Sequence, residues 1–194
     1  VSLSGNDHGN YVLGTVSGTG TITPAGTDAL SLSATRYNDQ YDGAAHDAVT
    51  SYGVTGALEG TEWDYTFSTD GEDGTFGEEM PKVTNVDDST DVWVKAYNAN
   101  YGELTFKVAA AVTPITVDGT IATVTKPYDG SAELVEGNST AIDLSGVLPQ
   151  DDETLAASVS AEDVSYARAE VHTGEALVID QSKVSLSGND HGNY

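Results

Sequence analysis

Carboxylates are the side chains in this sequence that cluster closely enough to do chemistry together. Asp70-Gly71-Glu72-Asp73-Gly74 and Asp87-Asp88-Ser89-Thr90-Asp91 each place acids in a short, turn-like stretch. Sets of this kind can attract a divalent cation. Calcium, however, takes about six to eight oxygen ligands, and neither stretch has the Asp-x-Asp-x-Asp-Gly spacing with a distal Glu that a calcium loop uses. The expected state is therefore a pair of solvated loops, with no cofactor. Should Ca2+ bind, the candidates are Asp70, Glu72, Asp73, Asp87, Asp88 and Asp91, and the ion would stiffen a junction.

The other reactive residue types are scattered. His8, His46, His172 and His191 show no His-x-x-x-His or Glu-paired spacing of the kind that binds zinc. Ser and Thr are plentiful, but no Gly-x-Ser-x-Gly elbow presents a nucleophile. Lys95 could in principle form a crosslink to an Asn or Asp, although a solvent-facing lysine is the commoner case. Asn138-Ser139-Thr140 fits the N-glycosylation pattern and reads as an exposed turn. An enzyme is not expected.

Composition narrows the partners. Seven Lys plus Arg stand against 31 Asp plus Glu, a formal net charge of −24. Such a surface repels phosphate backbones and anionic lipid, so neither nucleic acid nor membrane contact is expected. The sequence has no cysteine, so packing and strand pairing must supply all the stability. No apolar run approaches the length of a membrane span, and residue 1 is not followed by a signal-peptide pattern.

Alternation is the dominant periodicity. Val92, Val94 and Ala96 point one way and Trp93, Lys95 and Tyr97 the other, the pattern of a half-buried strand. Strands are likewise expected at residues 11–16, 20–23, 29–33, 63–68, 104–109, 115–117, 121–125, 155–160 and 176–179, nearly all bounded by Gly, Asp, Asn or Pro. Residues 161–170 come nearest to helical spacing. The expected class is all-β, with β-sandwich-like units, or alternatively β-grasp-like ones.

Two repeats organise these strands. Val1-Ser2-Leu3-Ser4-Gly5-Asn6-Asp7-His8-Gly9-Asn10-Tyr11 recurs letter for letter from Val184 to Tyr194, a period of 183 residues. Within it, Tyr41-Asp42-Gly43 is matched by Tyr128-Asp129-Gly130, 87 residues on. In each turn the Asp can bond backbone N–H groups and the Gly tolerates positive φ, so a structural role explains them. The two tyrosines are expected to cover an end of the core with their hydroxyls exposed. Both units close on Asn-Tyr, at Asn98-Ala99-Asn100-Tyr101 and at Asn193-Tyr194. Thr-Pro linkers follow at Thr23-Pro24 and Thr113-Pro114.

These residues carry a family resemblance. Lys126-Pro127-Tyr128-Asp129-Gly130, Leu144-Ser145-Gly146-Val147 and the stretch from Leu186 to Tyr194 together resemble the YDG domain of bacterial surface proteins. That family ends in Gly-Thr-Ile-Thr-Pro, which stands here at Gly20 to Pro24. Residues around Tyr41-Asp42-Gly43, Trp63-Asp64-Tyr65 and Val94-Lys95-Ala96 look like the related MBG-type repeats of bacterial adhesins. The resemblance implies tandem Ig-like or similar β domains outside a bacterial cell, and no catalytic residues.

Three segments follow: residues 1–26 as the closing strands of a preceding YDG-type unit, 27–113 as an MBG-type domain, and 114–194 as the opening portion of the next YDG-type domain. Residues 1–26 are then expected to pair with residues 115–183 of a neighbouring copy. The expected role is the stalk of a cell-surface adhesin or extracellular filament, whose partners are neighbouring repeats, with any host or matrix ligand bound elsewhere. The rival is a glycan- or host-protein-binding module that uses Trp63, Tyr65 and Tyr97.

Overall fold

A computed structural model describes residues 3–5 and 7–194, so Val1, Ser2 and Asn6 of the first motif copy lie outside the described residues. The chain is all-β, as its alternation predicts. The first unit holds β1 (Ser31–Arg36), β2 (Asn38–Gln40), β3 (His46–Asp47), β4 (Val49–Thr55), β5 (Asp64–Ser68), β6 (Lys82–Val83), β7 (Thr90–Asn98) and β8 (Gly102–Thr113). One sheet runs β2-β8-β7-β5, with β2 parallel to β8 and the other neighbours antiparallel. β1 and β4 form a second, antiparallel pair, and β3 with β6 a third.

β7 shows why this unit holds together. Val92, Val94 and Ala96 are completely buried on its inner face, and register places Phe67 of β5 and Val108 of β8 beside them. Tyr41, Ala48, Val49 of β4, Val83 of β6, and Ala110 and Val112 of β8 join the cluster. The β7–β8 hairpin turns through Asn98 to Gly102, where Gly102 takes φ +116, a conformation that side chains with a Cβ rarely adopt.

The second unit contains β9 (Asp118–Ile121), β10 (Ile142–Ser145), β11 (Ala156–Ser158), β12 (Val164–Ser165), β13 (Val178–Ile179) and β14 (Ser185–Ser187). Its sheet runs β14-β11-β10-β9, all antiparallel, with β12 and β13 paired separately. Only Leu155, Val159 and Val164 among its apolar side chains are buried.

Several sequence expectations fail for physical reasons. Residues 11–16 and 20–23 have strand patterns but form no strand, and residues 12–16 and 20–23 make no backbone hydrogen bond among the described residues. Residues 115–117 lie outside any strand, and of residues 121–125 only Ile121 is in one. Residues 161–170 make just a 3-10 turn at Ala161–Asp163 before β12. Among the described residues no helix exceeds three residues, so a β-grasp sheet would have nothing to wrap, and the sandwich-like alternative stands. β2, β3, β4, β6, β10, β12 and β14 were not expected: Ser51 and Gly53 interrupt the apolar alternation of β4, and the others are only two to four residues long.

Candidate functional site

The two Tyr-Asp-Gly turns have one geometry. Gly43 and Gly130 both take φ +78. The Ala44 N–H donates to Asp42 Oδ1 at 2.8 Å, and the Ser131 N–H to Asp129 Oδ1 at 2.9 Å. Each carboxylate also meets a basic side chain, but from opposite directions along the chain. His46 Nε2 lies 3.0 Å from both Asp42 oxygens, whereas Lys126 Nζ donates to the Asp129 oxygens at 2.9 and 3.1 Å. These bonds, with the turn N–H groups, hold both carboxyls below the usual range.

The tyrosines diverge. Tyr128 is 70% exposed and covers no core, while Tyr41 is buried and its hydroxyl is not free. Tyr41 Oη donates to Asp151 Oδ2 at 3.0 Å, and Tyr194 Oη donates to the same oxygen at 2.6 Å, the rings meeting edge-on at 5.8 Å. Burial, followed by the bond to Asp151, pushes the Tyr194 phenol up to about 12. The expectation of exposed hydroxyls is thus wrong for Tyr41, because a loop of the second unit comes down on it.

That contact opens onto a polar junction between the units. Asn193 is buried and bonded through three of its atoms: Oδ1 accepts from the Val86 N–H at 2.9 Å, Nδ2 donates to Asn85 Oδ1 at 2.9 Å, and its carbonyl accepts from the Ile115 N–H at 2.8 Å. Asn189 holds the main chain of Tyr194 at both ends. His191 Nδ1 lies 2.9 Å from Asp87 Oδ2, which raises the imidazole above its ordinary value. Ile115, Leu148 and Tyr194 pack against the core of the first unit. Sequence reasoning missed Asp151, Asn193 and Tyr194. The available signal was the Asn-Tyr pair that closes each unit.

The closing pair does the same job twice. Ala25, just after Thr23-Pro24, donates its N–H to the Asn100 carbonyl at 2.8 Å, as Ile115, just after Thr113-Pro114, does to Asn193. The Tyr101 hydroxyl accepts the Leu58 N–H at 3.0 Å, and the Tyr194 hydroxyl accepts the Leu148 N–H at 3.2 Å. Both leucines follow Gly-x turns whose glycines have positive φ, Gly56 at +92 and Gly146 at +89. Each Thr-Pro linker is therefore pinned to the far end of the unit it enters.

The carboxylate candidates do not converge. Asp87 turns to His191, Asp91 to Lys107 Nζ at 2.9 Å, and Asp88 accepts the N–H groups of Thr84 and Asn85 at 3.0 and 2.8 Å. The Asn85 bond is the chief reason the Asp88 carboxyl sits below its usual range. Asp70, Glu72 and Asp73 stay in a loop closed by the Gly74 N–H on the Gly71 carbonyl. Among the described residues no three His, Cys, Asp or Glu side chains form a group that could hold a metal ion.

The aromatic candidates separate as well. Tyr65 is opposite Ala96 on the core face of its sheet, while Tyr97 is opposite Asp64 on the outer face. Trp63 stacks on Tyr101 at 5.7 Å. Lys95 pairs with Glu103 at 3.1 Å and lies 4.2 Å from the centre of the Phe76 ring.

Two related all-β units, joined through a pinned Thr-Pro linker and a bonded polar junction, define a tandem β-domain protein. Residues 109–194 match the YDG domain, a match that takes in the second unit and begins within β8 of the unit before it. Neither a curated protein nor a solved structure matches the chain.

Proposed function

We propose that this chain is a non-enzymatic repeat segment from the shaft of a bacterial cell-surface adhesin or extracellular filament, with an MBG-type first unit. The observation that carries the reading is the repeated pin, Ala25 on Asn100 and Ile115 on Asn193, which fixes how each linker enters the next unit. A shaft needs its joints set in one direction more than it needs a pocket. The buried Asn193 and the tyrosine pair on Asp151 stiffen the joint between the two units in the same way.

Surface area agrees with an open shape. The chain exposes 13093 Å², where a compact monomer of its 20.1 kDa would expose about 8,700 Å². The dense negative charge keeps neighbouring shafts apart. The separation of Trp63, Tyr65 and Tyr97 favours this role over a glycan- or host-protein-binding module, since the three rings build no common platform. Neighbouring repeats are the partners, the location is extracellular, and ligand recognition lies elsewhere.

Small-angle scattering tests the reading. A shaft segment gives an elongated particle that advances on the order of 70 to 90 Å per 183-residue period, from strand rise and usual strand lengths. A radius of gyration near the compact value of about 16 Å overturns it.

A further inference from the structure

A pull along the backbone crosses the first unit from one end of a strand to the other. The chain enters beside the β7–β8 turn, where the Ala25 N–H donates to the Asn100 carbonyl and the Thr27 side chain lies within reach of a Cβ on Gly102. It leaves at Thr113-Pro114, the far end of β8. The twelve residues of β8 separate these points by on the order of 40 Å. Tension therefore acts along the strands and not across them.

β8 is held on both sides at the end where the load leaves it. β2 runs parallel to it, with Asn38, Asp39 and Gln40 paired to Ala111, Val112 and Thr113. Backbone bonds extend the pairing at both ends: the Ala111 N–H donates to the Tyr37 carbonyl at 3.0 Å, and the Tyr41 N–H to the Thr113 carbonyl at 2.8 Å. Side chains add three more. Arg36 Nη1 donates to the Ala109 carbonyl at 3.0 Å, Gln40 Nε2 to the Pro114 carbonyl at 3.2 Å, and Thr113 Oγ1 to the Asp39 carbonyl at 3.3 Å. From the other side, Ser89 Oγ accepts the Val112 N–H at 3.0 Å. Asn38, Asp39 and Gln40 are all exposed, so β2 gives the core nothing. Its place in the fold lies in what it holds.

The direction of β2 decides how these bonds are loaded. Tension at the entry draws β1, and through it β2, back towards the β7–β8 turn, while tension at the exit draws β8 the other way. Parallel strands pulled in this sense slide along each other, so every bond between them is strained together; neighbours pulled apart at a shared end open one bond at a time. β1 is held against sliding as well, by its six register pairs with β4. The core opposes the same motion. A shift of β8 by one residue would turn the buried Val108, Ala110 and Val112 towards solvent.

We propose that the first unit is a tension-bearing module, in which the pairing of β2 with the end of β8 is the clamp that must rupture before the unit can extend. The inference rests on the shaft reading for the source of the load, and it deepens that reading by naming the element that carries it. Forced unfolding is governed by the barrier to rupture and not by equilibrium stability. A few bonds loaded together can therefore give a small domain high strength under tension without a larger core.

Single-molecule pulling of the full chain along two axes tests it. The sequence has no cysteine, so handles attach only where one is introduced. Asp28→Cys with Pro114→Cys loads the unit along β8, whereas Thr90→Cys with Pro114→Cys grips β7 and β8 at their shared end. At one loading rate the first axis should need at least about twice the rupture force of the second. Gln40→Ala with Thr113→Val removes two clamp bonds at exposed positions, and at constant force along the first axis it should shorten the folded lifetime about tenfold. Thr61→Val, which loses a bond within its own turn, should leave that lifetime unchanged. Equal forces along the two axes, a double variant that lasts as long as wild type, or an equal loss in Thr61→Val overturns the inference. Scattering decides the shaft reading separately: an elongated particle that is weak along β8 removes the clamp and leaves the shaft, and a compact particle removes the shaft while the two axes still decide the clamp.

Discussion

Residues 27–113 and 114–194 carry the same Tyr-Asp-Gly turn, the same Gly-x-Leu turn under a closing tyrosine and the same linker pin, yet they bury very different cores. In the first unit β7 is flanked on both sides, and Val92, Val94 and Ala96 are sealed. In the second, β14 has a neighbour on one side only, and Leu186 remains 36% exposed. A sheet face is not buried by its own residues but by whatever lies beside and above it, so a unit can have the right turns and pattern and still keep its apolar face open.

The largest expected effect separates the two cores directly. Val94→Ala, at a position with no exposure, should cost about 2–3 kcal/mol, through lost transfer energy and the cavity left behind. Leu186→Ala should cost less than about 1 kcal/mol, because its side chain is already partly in water. Denaturant titration can assign the loss: Trp63 and Trp93 both belong to the first unit, so their fluorescence follows that unit, while circular dichroism follows both. Equal costs at the two sites break the comparison.

The junction should respond next. Asn193→Ala leaves the Val86 N–H and the Asn85 amide without their partner, a loss of about 1–3 kcal/mol that falls on the coupling between the units. Hydrogen exchange at the Val86 amide reads it, and unchanged protection there would mean that water replaces Asn193 at no cost. A smaller contrast comes from the paired turns. Gly43→Ala and Gly130→Ala each force a side chain into φ +78, at about 1 kcal/mol. A Cβ on Gly43 would in addition collide with the Gln150 side chain across the junction, while one on Gly130 meets nothing. Gly43→Ala should therefore loosen the joint as well as the turn; equal effects at the two glycines would show that Gln150 moves aside freely.

How far the sequence could be read depended on the range of the interactions. β7 was legible from alternation because its burial follows the pleat residue by residue. The Tyr-Asp-Gly turns were legible because an Asp bonds an N–H two residues away, a purely local event. The segment from Val12 to Thr23 has an unmistakable strand pattern and still forms no strand, since a pattern names a face and not the partner that covers it. Asn193 and Asp151 were not legible at all. Their partners, Val86 and Tyr41, are more than a hundred residues away, and no local spacing marks a polar side chain for burial. The aromatic set failed for a related reason: Tyr65 and Tyr97 are 32 residues apart, and only the register of β5 against β7 puts them on opposite faces.

The smallest effect concerns pH, and it acts at the junction without touching either core. Asp87 faces His191 at 2.9 Å, with the charges of Asp88 and Asp190 close by, and the hydrogen bond to Asp87 is the main reason the imidazole is raised above 6.5. Because the folded value is the higher one, the contribution is complete below pH 6.5 and fades as pH rises through the folded value. Asp88 runs the other way. Its carboxyl is lowered from 3.8, chiefly by the Asn85 N–H, so its contribution is present above that value and is lost as pH falls through the folded one. The joint should therefore be tightest between about pH 4 and 6.5 and should loosen on both sides. Both partners of the His191 pair are more than half exposed, which makes the effect small and sensitive to salt. An NMR titration of the four imidazoles checks the alkaline limb. His191 should titrate above 6.5, and Asp87→Asn should bring it back, while the turn at Asp129, which has no part in the junction, stays unchanged. A His191 that titrates at or below 6.5 in the intact chain would mean that the Asp87 contact does not persist in solution, and that Asn193 and the tyrosine pair on Asp151 hold the joint without it.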